Sequence, residues 1–528
     1  MTLAPVERIH ADVVIVGSGF SGALVALALR QMGRTVVLLE RGRHPRFAIG
    51  ESSTPLANLL LEELADRYNL PAIRPFSKWA TWQATYPHVA CGLKRGFTFL
   101  FHEDGRPFSD TDVHDRQLMV AASPHDAVGD THWYRPDFDA ELVRQAQEAG
   151  AHYFDETAID TLSRHGDLIV LDATRQGRTL RVRSPFVVDA SGPRGFMHHA
   201  LGLSEAPLRW LPHTAGLFTH FEGVDRWDTL PGAADASGSP QPPYPPDDAA
   251  LHHVFEGGWI WVLRFNNGIT SAGAALTAPL AETIGAANGA PAWERLLDRL
   301  PSVREQFAQA RATLPFVYSP RLAYRSARVS GPGWTLLPSA AGIIDPLLSS
   351  GFPLTLLGVL RVLSVLEHTA PGAERDAAFR AHEATTLAEL DATEHLVAAL
   401  YATMADPPLF KRLALMYFAA ASYSEAARRL DRPHLAPGFL LHRHPRFGPE
   451  LTECVQEASA KPTGHDRASL LARIALAVEP FDIAGLLDCA RHDWFPVRAN
   501  DILGHAAKLE STTEEVERML ARCGFVST

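Results

Sequence analysis

Cysteine is scarce: four among 528 residues, Cys91, Cys454, Cys489 and Cys523, with no paired spacing. That excludes a disulfide framework and a thiolate zinc site, so no metal is expected, and it suits a reducing, cytoplasmic setting. An excess of positive charge is also missing. With 49 basic against 60 acidic residues the formal net charge is −11, which argues against a nucleic-acid binder, whose affinity rests on neutralising phosphates. The first residues, "MTLAPVERIHADVVIVG", lack the features of a secretory signal, and none is expected. The longest apolar helical run, "PLTLLGVLRVLSVLEH" from Pro353, contains Arg361 and is too short for a bilayer. It is expected as a buried core helix, with no integral membrane segment.

What is present is an ordinary globular composition, 46 % hydrophobic and 21 % charged, in a chain long enough for two or three packed units. "ADVVIVG" reads as a buried parallel strand, "GALVALALRQMG" as an apolar helix and "TVVLLE" as a second strand, a complete βαβ unit. Between the first strand and the helix lies "GSGFSG", which places Gly17, Gly19 and Gly22 in G-x-G-x-x-G spacing around Phe20 and Ser21. The first glycine makes the tight turn, the second admits a pyrophosphate, and the third lets helix pack on sheet. The helix N-terminus then offers N–H groups to the phosphates. Glu40 ends the second strand, where a carboxylate can bond ribose hydroxyls, which disfavours a 2′-phosphate.

Later turns favour FAD over NAD. Arg41, Arg43 and Arg46 follow Glu40; "VVDASGPRG" ends a strand in Asp189 and a turn with Ser191 and Gly192; and "LLPSAAGIIDPLLSSG" gives another strand, a turn and a helix start. In that last turn the N–H groups of Ser349, Ser350 and Gly351 can face an anion or the electron-rich edge of a flavin. Three separated strand-end turns converging on one long cofactor are expected of a flavoprotein. Residues 210–248, rich in Pro, Gly and Asp, read as an irregular surface excursion and a candidate lid. Strands are expected again at "HHVFEGGWIWVLRF", "ITSAGAAL" and "GWTLLPS", and from about residue 374 the chain reads as mostly helical.

"CGLKRGFTFLFH", residues 91–102, reads as one strand in which Lys94 shares a face with Gly96, Thr98, Leu100 and His102, opposite Leu93, Arg95, Phe97, Phe99 and Phe101. The small neighbours Gly96 and Thr98 are expected to leave room around the ammonium. A lysine snorkelling from a strand edge is the plain alternative.

Together "GSGFSG", "GESSTP", Lys94-x-Gly96-x-x-Phe99, "WIW" and "AAGIIDPLLSSG" resemble the flavin-dependent halogenases, within the FAD monooxygenases of p-hydroxybenzoate hydroxylase type. The resemblance spans about residues 12–360, and the helical remainder suits it. It implies an α/β, Rossmann-like FAD-binding fold with an inserted antiparallel sheet on the substrate side (about 85–135 and 205–330) in a module of residues 1–370, followed by a helical region, 371–528. It also implies that reduced FAD, supplied by a partner flavin reductase, meets O2 to form a flavin hydroperoxide. A chloride or bromide held near Ser349, Ser350 and Gly351 becomes hypohalous acid, which crosses a tunnel to Lys94. Expected cofactor contacts are Gly17, Gly19, Phe20, Ser21, Gly22, Glu40, Arg41, Arg46, Glu51, Ser52, Asp189, Ser191, Gly192, Ser339, Gly342 and Asp345. Pro346 belongs with the halide turn. Trp259 and Trp261 are expected on the substrate side, as is His102, which could serve as a base toward a phenol.

The sequence departs from the family pattern where Leu263-Arg264 stands in place of Ile-Pro after the paired tryptophans, and where Pro338-Ser339 stands in place of Gly-Asp. Leu348 replaces the glutamate of the tryptophan-halogenating branch, which points to phenolic, pyrrolic or carrier-bound aromatic substrates. An FAD monooxygenase that does not halogenate, and a catalytically silent flavin-binding partner protein, stay open as alternatives.

Overall fold

The computed structural model describes residues 6–230 and 241–525. Strand β1 (Val13–Val16), helix α1 (Phe20–Gln31) and strand β2 (Val36–Leu39) form the initial βαβ unit, and every residue of both strands is buried. They lie in a six-stranded sheet ordered Ser330–Gly331, Trp334–Leu336, Phe186–Asp189, β1, β2, His152–Phe154. All its pairings are parallel except that of the short edge strand. Burial on both faces is why these strands are continuous Val/Leu/Ile runs rather than alternating ones.

Helix α2 (Pro55–Arg67) starts at Thr54, whose side chain accepts from the Ala57 N–H. The stretch read as one strand over residues 91–102 is two. Strand β3 (Cys91–Lys94) pairs antiparallel with Asp130–Trp133, and β4 (Gly96–Phe101) enters the large, mostly antiparallel sheet beside β5 (Gln117–Ala121). The chain changes sheets at Arg95, whose guanidinium bonds Ser123 and Asp126. The strand Asp130–Trp133 becomes β6.

Beyond β4 the large sheet continues through β7 (Ala250–Phe255), β8 (Gly258–Arg264), Thr270–Thr277 and Thr214–Glu222. Residues 210–248 are therefore not irregular throughout, because nine of them form a mostly buried strand. Its side chains fill the core against Trp293 and Phe307, which outweighs the loop-forming composition that follows it. The lid expectation falls largely on residues 231–240, outside the described residues.

Helix α3 (Gly351–His368) is the apolar run seen in the sequence, and ten of its residues are buried. By length and composition alone it could cross a membrane, but its apolar residues pack in the core. Helices α4 (Ala373–Ala402) and α5 (Pro407–Arg429) pack on it and on α2. One apolar cluster runs from Val13 to Leu520, and Trp494–Phe495 adds a parallel strand to β5.

Candidate active site

The glycine loop is shaped by contacts that leave no room for side chains. Gly17 has φ +98°, and a Cβ there would stand 2.5 Å from the Ala190 carbonyl oxygen; at Gly22 it would stand 2.1 Å from Gly17 O. Gly19 caps α1 with no side-chain bond to the first turn, so those N–H groups are open to an anion. Glu40 Oε2 accepts from the Ser18 N–H (3.1 Å) and hydroxyl (3.0 Å), and Oε1 accepts from the Gly42 N–H (2.8 Å). Burial alone would raise this carboxyl, but Arg46, 3.1 Å away, and the hydrogen bonds outweigh it and hold it below its usual range. An ionised acid at the end of β2, a bare helix N-terminus and a glycine turn fit the adenosine and pyrophosphate of FAD.

The other expected cofactor residues divide. Ser191 and Gly192 (φ +86°) form the turn after Phe186–Asp189, and the fully buried Asp189 accepts from the Ser191 N–H and hydroxyl and from the Met197 N–H. Asp189 therefore shapes the turn from within. Arg41 is exposed. Glu51 Oε1 bonds His220 Nε2 (2.8 Å), whereas Glu51 Oε2 and the Ser52 hydroxyl are buried without a protein partner, as at a place that a ligand completes. Ser339 is half-buried in Pro338–Ala341, and Pro338 packs on Gly358 of α3, where a Cβ would meet the proline ring at 2.1 Å.

Arg135 escaped the sequence reading. It forms a bidentate pair with Asp139 (2.8 and 2.7 Å), donates to the carbonyls of Ile49 and Gly50, and lies 4.9 Å over the Phe20 ring. It thereby ties the "GESSTP" segment to the glycine loop. An arginine four residues before an acid in a helix looks like a surface pair in sequence, and only the fold buries it.

Lys94 ends β3 and is fully buried. Its Nζ donates to Ser53 O (2.5 Å) and Ser349 Oγ (3.4 Å) and lies 3.8 Å from the centre of the Phe97 ring. The space foreseen beside Gly96 does not exist: a Cβ there would meet Val120 O at 2.2 Å. The sheet change at Arg95 resets the alternation, so Lys94 sits with Phe97 and away from His102. His102 bonds His253 (2.9 Å), which bonds Gln306 (2.9 Å), and it packs on Phe108 and Trp227 across the large sheet. The expectation of His102 beside Lys94 is thus corrected.

The neighbours of Lys94 are instead Asp130, His132 and His252. Asp130 is its cross-strand partner in β6. Its Oδ1 accepts from Asn58 Nδ2 (2.6 Å) and its Oδ2 is buried without a partner. Desolvation pushes the Lys94 pKa down, against the pull of Asp130, and pushes the Asp130 carboxyl up, against Lys78 and Lys94. Desolvation thus brings Lys94 down to about 7, where neutral amine and ammonium are both populated near neutrality. Burial, with Lys94 nearby, also lowers His132 and His252 to about 3, leaving both imidazoles uncharged near neutrality.

The turn facing Lys94 is held from behind. Ser349 takes φ +51°, a left-handed conformation rare outside glycine, and its N–H bonds Pro346 O (2.9 Å). Ser350 makes no side-chain cap, so the N–H groups starting α3 at Gly351 are open. Asp345, expected against the cofactor, is spent inside the protein. It accepts from the Leu347 N–H (2.9 Å) and the Tyr401 hydroxyl (2.8 Å), and burial raises it to about 7. The Trp259 indole donates to the Tyr401 oxygen (3.2 Å), Trp261 donates to Ser271 (3.3 Å), and the two indoles lie 5.6 Å apart. Tyr417 donates to Leu348 O (2.7 Å). Gly342, at the entry to this region, abuts Leu390 of α4.

Among the described residues no cluster could hold a metal ion. A family model for FAD-dependent oxidoreductases matches residues 12–344. The chain is 34 % identical over 349 residues to the tetracycline 7-halogenase of Kitasatospora aureofaciens, covering 64 % of this chain and 60 % of that protein. It is 31 % identical to the monodechloroaminopyrrolnitrin halogenase PrnC of Pseudomonas fluorescens, covering 66 % and 60 %. It thus spans about 60 % of the length of these relatives. The crystal structure of halogenase PltM with phloroglucinol and FAD superposes with a TM-score of 0.80 at 25 % identity, covering 91 % of this chain and 99 % of that one.

Proposed function

The chain belongs to the FAD-dependent oxidoreductases, and from that premise we propose that it is a flavin-dependent halogenase acting on an electron-rich aromatic substrate, phenolic, pyrrolic or carrier-bound. The observation that carries the reading is Lys94, a buried lysine bonded to both the "GESSTP" segment at Ser53 and the flavin-side turn at Ser349. Reduced FAD, delivered by a separate flavin reductase and meeting O2, supplies the oxidising equivalent that turns a halide into hypohalous acid. The four cysteines are free, which suits the cytoplasmic setting proposed with it.

The residues divide the remaining work. The open N–H groups at Ser350 and Gly351 attract the halide, and the strained Ser349 aims its hydroxyl at Lys94. The neutral Lys94 amine attacks the halogen of the hypohalous acid; a nitrogen–halogen bond forms, hydroxide leaves, and the ammonium proton converts it to water. A ring carbon then attacks the halogen, the nitrogen–halogen electron pair returns to nitrogen, and the ring proton is transferred to that nitrogen, restoring the amine. The uncharged His132 and His252 keep the chamber from repelling an electrophile with added positive charge. Asp130 offers its unpartnered oxygen to relay that proton from ring to nitrogen. Trp259, packed on His252 at 5.1 Å, walls the chamber.

The substituted Arg264 has a structural task. Its guanidinium bonds Asp247 (2.8 Å) and the carbonyls of Val224 (2.9 Å) and Asp225, so it fastens the neighbouring segment and leaves the tryptophans in place. That removes the main support for a monooxygenase that spares halide. The test uses FAD, a flavin reductase with NADH, O2, bromide and phenol substrates, with products weighed by mass spectrometry. Bromide incorporation lost by at least about a hundredfold in Lys94→Ala, with FAD still bound, is the expected outcome. Oxygen insertion that ignores both bromide and Lys94 would sink the proposal.

A further inference from the structure

A cavity on the C-terminal side of β4 has no role in the scheme above. It encloses about 120 Å³ between β4, the start of α2 and the C-terminal helices. Thr54, Phe97, Pro353 and Tyr417 are among its lining residues. Two of them adjoin Lys94: Thr54 follows the Ser53 carbonyl that Nζ bonds, and Phe97 lies against Nζ. The walls are mostly apolar, with Phe418, Ala421 and Phe495 among them, and the charged residues among them are Glu425 and Arg429. Arg429 donates from Nε to Glu425 (2.7 Å) and from Nη1 to Glu62 (3.1 Å), while Nη2 is buried with no partner in the protein. A buried donor left unmatched is costly, so the cavity is shaped for a ligand acceptor at that nitrogen.

Charge and size narrow the ligand. Two carboxylates face one guanidinium, leaving a local excess of negative charge that repels a carboxylate ligand and tolerates a neutral oxygen. The volume, about 120 Å³, compares with the ~150 Å³ of an apolar cavity that admits a benzene ring, so it suits one ring and not a fused polycycle.

We propose that this cavity binds the ring of a compact, neutral phenol, one oxygen accepting from Arg429 Nη2 and the ring lying against Phe97, the side chain that Lys94 Nζ meets. As a statement of substrate class it rests on the halogenase reading, but the binding is testable without turnover.

The FAD-loaded protein is titrated calorimetrically with phloroglucinol, its carboxylated counterpart 3,5-dihydroxybenzoate, and tetracycline. Phloroglucinol is expected to bind at least about tenfold more tightly than either, and to be weakened about tenfold by Arg429→Lys, which keeps the charge but loses the fork. Ala421→Trp fills the cavity and should abolish phloroglucinol binding while FAD loading and halide-dependent oxidant formation, trapped by monochlorodimedone, persist. Undiminished binding in Ala421→Trp, or equal affinity for the carboxylated ring, would overturn the proposal and leave the halogenase reading standing. Phloroglucinol bound as expected but never halogenated would support the cavity and count against the halogenase reading.

Discussion

Lys94 is set apart from other lysines by its surroundings, because burial removes water from the ammonium and the carboxylate facing it across the sheet, Asp130, is itself pushed toward its neutral form. Asp130 pulls the lysine pKa up, so Asp130→Asn should lower it further. The neutral, reactive amine would then persist to lower pH, and the acid limb of the kcat/KM profile should move down by roughly one pH unit. An unmoved limb would detach Asp130 from the chemistry. The residue type was legible from sequence, but its partners were not. Asp130, His132 and His252 lie 36 or more positions away in the chain, and none stands in a recognisable spacing with Lys94.

At the scale of elements, the turn from Asp345 to Gly351 is a device of two parts. The sequence "DPLLSSG" specifies the turn and the start of α3, whereas its stiffness comes from α4 and α5 through Tyr401 and Tyr417. Tyr401→Phe would leave Asp345 and the Trp259 indole short of a buried partner. It should cost about 1–3 kcal/mol, seen as a lower Tm, and should reduce halogenation more than FAD affinity. Wild-type activity and Tm in that variant would remove Tyr401 from the account. The misread element was the stretch over residues 91–102. Alternation assumes one strand in one sheet, and the crossover at Arg95 breaks that assumption. Gly92 and Gly96 flank the crossover because Cβ atoms there would strike Arg264 O (1.9 Å) and Val120 O (2.2 Å); two glycines four apart in a short apolar strand were the available sign.

Across the whole molecule, the C-terminal helices complete the core begun by the dinucleotide fold. The apolar cluster is shared, Trp494–Phe495 pairs with β5, and the proposed substrate cavity is walled on one side by residues beyond position 416. The boundary expected near residue 370 therefore falls within one continuous apolar core. A fragment of residues 1–370 should expose α3, aggregate and fail to retain FAD, as size-exclusion chromatography and flavin absorbance would report. A soluble yellow fragment would mean the helical region folds as an addition.

The sequence by itself determined the βαβ cradle, the acid at Glu40, the "DPLLSSG" turn and the presence of a lysine of special interest. These depend on neighbours within a few residues, where backbone geometry fixes what the chemistry can reach. The tertiary structure alone decided what surrounds that lysine, which arginine is left with a free hydrogen, and how large the space beside them is. Burial and long-range pairing set those properties, and both arise only when segments far apart in the chain exclude water together.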